Sequence, residues 1–237
     1  MKITKSILLP SVLILATLYV LVSLGFWQLS RADEKQQIEQ LVIAAQQLPI
    51  IEIQNLDKLS DKEYQTVTLT GVYDDNKQFV YDNQTVNGHA GYYVLTPFIT
   101  DKSNKAILVN RGFRPWGATR EIKNIDIDTQ QTTIRVSLVK PIKRIELKSN
   151  IKIEGFPKLI QSLDIEKLSA LSGYQITPMI AQLHQDQEQG FYRDWKPFYG
   201  TAEKHTGYAI QWFAMAFVLL IIAIYLLLKY VIKNSKI

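Results

Sequence analysis

The side chains best suited to chemistry in this chain gather in two short clusters. One is Gly25-Phe26-Trp27-Gln28-Leu29-Ser30-Arg31, and the other is His205-Thr206-Gly207-Tyr208-Ala209-Ile210-Gln211-Trp212. On a helix, Trp27 and Arg31 share a face, and His205, Tyr208 and Trp212 fall at i, i+3 and i+7 on one face. A histidine with an open ring nitrogen can bind an iron centre axially. Aromatic rings can stack on a flat macrocycle, and the Arg31 guanidinium can meet its carboxylates. The same residue types also make an interfacial belt of aromatics with a snorkelling arginine, and spacing leaves both readings open. A third cluster, Leu108-Val109-Asn110-Arg111-Gly112-Phe113, is a strand running into a turn. Arg111 there is either an ion-pair partner at the core edge or, with Asn110 and Gly112, part of a partner surface.

Most other site chemistries find no support. The three histidines, His89, His184 and His205, do not stand at metal-ligand spacing. With no cysteine in the chain, thiol redox chemistry, cysteine zinc sites, copper–thiolate sites and covalent haem attachment through Cys-x-x-Cys-His are excluded. No nucleophile elbow, phosphate loop or dinucleotide fingerprint is present. Carboxylates are numerous but scattered, so an exported hydrolase needs a constellation that spacing does not reveal.

The elements that must position these clusters are legible. Ile7–Leu29 and Thr206–Leu228 carry no charged residue. Each run reaches about 34 Å as a helix, enough for a hydrocarbon core of about 30 Å. Pro10 sits in the first turn, where its missing N–H costs little. The first run is too long for a signal-peptide core, and no small-residue cleavage site follows it. Lys2 and Lys5 precede the first span, and Lys229, Lys233 and Lys236 follow the second. These five lysines account for the whole net charge of +5, so the intervening region is neutral. By the positive-inside rule both tails, 1–6 and 229–237, are expected in the cytoplasm, with residues 30–205 on the far side of a bacterial inner membrane. The basic balance is a topology signal, and no nucleic-acid partner is expected.

Residues 30–48 read as a helical stalk ended by Pro49, with the first span either extending into it or bending near Ser30. Alternating or β-branched runs at Tyr64–Val72, Gln78–Asp82, Gly91–Ile99, Lys105–Arg111, Thr132–Val139, Phe156–Leu163 and Ile176–Leu183 predict strands. Asp74-Asp75-Asn76 and Asn87-Gly88 predict turns. Asp164–Leu171, capped by Asp164 and Gly173, predicts a short helix. The expected fold is a membrane-anchored α+β protein. Two transmembrane helices, 7–29 and 206–228, flank a mainly antiparallel barrel- or sandwich-like domain with peripheral helices.

Taken together, the three clusters resemble the Surfeit locus 1 family of cytochrome oxidase assembly factors. The family's Gly-x-Trp-Gln-x-x-Arg stands here as Gly25, Trp27, Gln28 and Arg31. Its Val-Asn-Arg-Gly is Val109–Gly112, and its His-x-x-Tyr-Ala-x-Gln-Trp is His205, Tyr208, Ala209, Gln211 and Trp212. Gly91–Pro97 is similar to its Gly-Tyr-x-x-x-x-Pro segment. The resemblance implies a non-enzymatic role in maturing haem–copper terminal oxidase, with haem a handled for subunit I and haem a synthase as a possible second partner. It also implies that His205 is the residue tied to haem binding. A scaffold that holds oxidase subunits without a cofactor is the alternative. A sensor fits poorly, because the short tails offer no output module.

Overall fold

The computed structural model describes residues 5–101, 104–141, 155–195 and 201–234. Lys2 and Lys236, two of the lysines that set the expected orientation, lie outside the described residues. The chain forms two compact units, residues 1–40 with 196–237 and residues 41–195.

The first unit is a pair of long helices, α1 (Lys5–Gln46) and α3 (Ala202–Asn234). Both are long and apolar enough to cross a membrane. Their outward faces expose Leu9, Tyr19, Ile210 and Phe217, side chains that solvate readily in acyl chains and poorly in water. No proline falls between Pro10 and Pro49, and α1 continues through Ser30 without interruption. Of the two expectations for the stalk, extension is the one observed.

The second unit is an eight-stranded sheet closed on itself. Its strands are β1 (Ile51–Ile53), β2 (Thr66–Tyr73), β3 (Phe79–Val86), β4 (His89–Ile99), β5 (Lys105–Pro115), β6 (Thr132–Val139), β7 (Lys158–Ile160) and β8 (Gln175–Leu183). The order β1-β2-β6-β8-β5-β4-β3-β7 gains an extra pairing of β2 with β4, so β2, β6, β8, β5 and β4 make a ring. Most pairs are antiparallel, while β1–β2, β3–β7 and β5–β8 are parallel. Between barrel and sandwich, the outcome is a barrel. The predicted Asn87-Gly88 turn joins β3 to β4, with φ of 49° and 79°, the backbone of a tight two-residue hairpin. The helix α2 (Ile165–Ser172) begins at Asp164, whose side chain accepts from the Lys167 N–H, and ends at a left-handed Gly173.

Alternation along the strands decides what fills the ring. Val67 and Leu69 from β2, Ile134, Val136 and Leu138 from β6, and Met179, Ala181 and Leu183 from β8 form one buried cluster with Phe98 and Val109. On the opposite side of the sheet, Phe79, Leu95, Leu108 and Ile180 pack beneath Leu168 of α2. Strand β5 is therefore buried on both faces, and its sequence does not alternate.

The ring closes at Gly71. Gly71 pairs with Thr132 across β2–β6, and the next residue, Val72, pairs with Ile99 across β2–β4. A Cβ at position 71 would sit 2.2 Å from the Ile99 carbonyl oxygen, a backbone atom that cannot swing away. Glycine is required here by close approach. Gly71→Ala is expected to lower the unfolding free energy by about 1–3 kcal/mol. Gly117→Ala, where a Cβ meets nothing within 4 Å, is expected to change little. Thermal unfolding of the full chain in lipid nanodiscs compares the two.

Candidate functional site

The helix pair is organised by a seam. On α1 the shielded positions include Leu18, Leu21, Gly25, Gln28, Ala32 and Lys35, and on α3 they include His205, Ala209, Trp212, Ala216, Leu219 and Ala223. Spacings of three and four alternate along both helices, as paired helices require. The seam is tightest at small residues. A Cβ on Gly25 would meet the Phe213 ring at 2.6 Å, and the same ring lies edge-on to Phe26 at 5.3 Å. Ala209 is 1% exposed.

A polar contact crosses the seam. His205 Nδ1 lies 2.7 Å from Gln28 Oε1, between residues 177 apart in sequence. With Phe213 near Gly25 and His205 near Gln28, the helices run antiparallel, as two successive crossings of one bilayer must.

The sequence-derived residues divide around this contact. Gln28, a residue of the Gly-x-Trp-Gln-x-x-Arg motif, meets His205 directly. Trp212 is half-buried on the His205 face, whereas Tyr208 and Trp27 are about half exposed and Gln211 points outward. Arg31 is engaged on its own helix: it pairs with Glu34 at 2.5 Å and stacks over Trp27 at 5.9 Å. Among the described residues, no hydrogen bond, ion pair or ring contact joins Trp27 or Arg31 to His205 or Trp212. An open cleft of about 420 Å³ lies on the helix pair, lined by Gln36, Glu39, Ala202, Glu203, Thr206, Gly207 and Ile210, and His205 does not line it. Its two carboxylates make that rim acidic.

Sequence reasoning named Gln28 only as a motif residue. The signal for its role was the spacing Gly25, Gln28, Ala32, a three–four repeat with small residues on either side. The partner could not be read, because nothing local links positions 28 and 205.

In the barrel, Arg111 is 3% exposed. Its Nε donates to the Gln189 carbonyl, and its terminal nitrogens donate to the carbonyls of Ile125 at 2.7 Å and Asp126 at 3.1 Å. The Gln78 side-chain carbonyl accepts at 3.0 Å, and the guanidinium stacks over Phe191 at 5.0 Å. Burial lowers its pKa to about 10, which leaves it charged at neutral pH. The expected ion-pair partner at the core edge is thus a cage of carbonyl oxygens. Arg111 fastens three segments to β5: the loop around Ile125, the start of β3, and the 189–192 strap. The neighbouring motif residues serve the same fastening. Asn110 Oδ1 accepts from the Gly112 N–H, and Gly112, at φ 118°, lets the Tyr192 carbonyl approach to 2.7 Å of where a Cβ would stand. The strap itself, tied by Phe113 N–H to Tyr192 and by Phe191 N–H to Arg111, carried no strand signal in the sequence.

A β-barrel domain flanked in sequence by two helices long and apolar enough to cross a membrane defines the class: a small membrane-anchored protein with one folded β domain. The family model described as SURF1 family matches residues 15–217, and the chain belongs to that family. A SURF1-like protein of Rickettsia felis is 28% identical over 90% of this chain and 94% of its own length. A SURF1-like protein of Mycobacterium tuberculosis is 25% identical over 78% of this chain and 70% of its own. The cytochrome oxidase assembly protein SHY1 of Saccharomyces cerevisiae is 26% identical over 63% of this chain and 40% of its own.

Replacing Arg111 by Lys keeps the charge and removes the planar fork that reaches several carbonyls at once. Arg111→Lys is expected to cost about 1.5–3 kcal/mol, the size of one hydrogen bond to a charged group, read as a lower midpoint of thermal unfolding. An unchanged midpoint would show that the cage does not stabilise the barrel.

Proposed function

We propose that this protein is an assembly factor for haem–copper terminal oxidase in a bacterial inner membrane, where it carries haem a toward subunit I. On this reading it performs no catalysis. Both chain ends lie in the cytoplasm and the barrel lies in the periplasm, as the flanking lysines favour. Family membership and the similarity to a yeast protein named for cytochrome oxidase assembly support the oxidase role. Subunit I, and haem a synthase as donor, are the partners that a haem-carrying role requires.

The observation that carries the haem reading is the placement of His205. Its Nδ1 is engaged by Gln28, while its Nε2 makes no hydrogen bond among the described residues. An imidazole held this way would hold a haem iron through Nε2. When bound, haem would supply an iron that takes a nitrogen donor, and a wide apolar ring. Trp212, on the His205 face, and Tyr208, one turn from His205, offer aromatic surface for that ring. Arg31 pairs with Glu34 through one guanidinium nitrogen, so its remaining N–H donors would be the ones to meet haem carboxylates, with the Trp27 ring stacked beneath the guanidinium.

That pairing of Arg31 with Glu34 also favours the second reading, a scaffold that holds oxidase subunits without a cofactor. The two readings separate experimentally. The protein purified from haem-a-producing cells is expected to show a haem absorption spectrum that His205→Ala loses. A deletion strain is expected to lose terminal oxidase activity and regain it with the wild-type gene. A haem-free wild type, or a His205→Ala variant with equal haem, contradicts the haem reading. Equal recovery of oxidase subunits with both proteins then favours the scaffold.

A further inference from the structure

The hydrogen bond between Gln28 and His205 determines more than position. An imidazole has two nitrogens, and in the neutral ring only one carries a proton. With the Gln28 amide turned so that its carbonyl oxygen Oε1 faces the ring at 2.7 Å, the contact is a hydrogen bond when the proton resides on His205 Nδ1. The lone pair available to a metal is then on Nε2.

Three features hold this geometry. Gln28 lies on the α1 seam between Gly25 and Ala32, both buried against the partner helix. His205 lies on the α3 seam one turn before Ala209, which is 1% exposed. The Phe213 ring fills the space over Gly25 and fixes the level at which the helices meet. Neither partner has another side-chain hydrogen bond among the described residues, so the two are matched. An amide carbonyl suits the task, because it orients the ring without adding a charge at an apolar boundary.

We propose that Gln28 is a positioning residue that fixes His205 as its Nδ1–H tautomer across the helix seam, so that Nε2 is the ligand atom. The ligand part rests on the haem reading of His205, whereas the tautomer does not. Gln28 takes no part in binding the macrocycle and acts through His205.

The chain has only three histidines, so ¹⁵N-histidine labelling gives a readable solid-state NMR spectrum of the full chain in lipid nanodiscs without haem. The His205 signals, identified by comparison with His205→Asn, are expected to show a protonated Nδ1 and a bare Nε2. Gln28→Leu is expected to shift His205 to the Nε2–H form. Gln28→Glu, whose carboxylate accepts the same hydrogen bond, is expected to restore the Nδ1–H form. A wild-type His205 in the Nε2–H form, or a tautomer unchanged by Gln28→Leu, overturns the proposal. Titration with haemin tests the ligand part separately. Gln28→Leu is expected to bind about tenfold to a hundredfold more weakly than wild type, as loss of an orienting partner does. If His205→Ala binds haemin as well as wild type does, the haem reading fails, and the NMR result still decides what Gln28 does.

Discussion

A polar side chain packed between two apolar helices has few partners to choose from, and that constraint organises the helix pair of this molecule. Gln28 and His205 each sit on a seam made mostly of glycine, alanine and leucine, where an unpaired amide or imidazole would be costly. They satisfy one another at 2.7 Å. The pairing requires two chain segments, 177 residues apart, to return to the same level of the helix pair. Small residues permit the approach and aromatic rings set its depth. The chemistry proposed for His205 follows from the same contact, because the partner that anchors the ring also chooses which nitrogen stays free.

The barrel solves an analogous problem by other means. Its ring closes only where Gly71 lets β2 pass against the Ile99 carbonyl. Its central strand β5 is covered on both faces, so no amphipathic face remains to be solvated. Arg111 then holds the loops at one end through carbonyl oxygens. A buried guanidinium with several such acceptors is a strong tie, because its charge is desolvated and needs every one of them. Burial of the Asp82 carboxylate beside the bulge in β3 is balanced in the same manner, by the Trp116 indole N–H and Arg120.

Much of this was written in the sequence where local rules suffice. The two apolar runs, the alternating strands β2 and β6, the Asn87-Gly88 hairpin and the caps of α2 depend on neighbours a few residues away. Where long-range pairing rules, the sequence fell short. β5 reads as ending at Arg111, yet it continues to Pro115 because Phe113 pairs with both Tyr93 and Tyr192. β1 is three residues long and exists only through its pairing with β2. At the candidate site, spacing placed His205, Tyr208 and Trp212 on one helix face, and in the structure His205 and Trp212 are shielded while Tyr208 is about half exposed. Trp27 and Arg31 shared a face as expected, but that face turns toward Glu34 and away from His205. Gln28 was recognised as part of a motif, while its partner lies on an element that no local pattern connects to it.

Cross-linking tests the helix seam directly, because the chain has no cysteine of its own. A Gln28→Cys/His205→Cys double variant in native-like membranes, treated with a short bifunctional thiol reagent and then cleaved by protease within the barrel domain, is predicted to keep its two ends joined. Leu29→Cys paired with His205→Cys, which turns the first thiol off the seam, is predicted to separate. Separation of both, or equal joining of both, would contradict the paired seam on which the site is built.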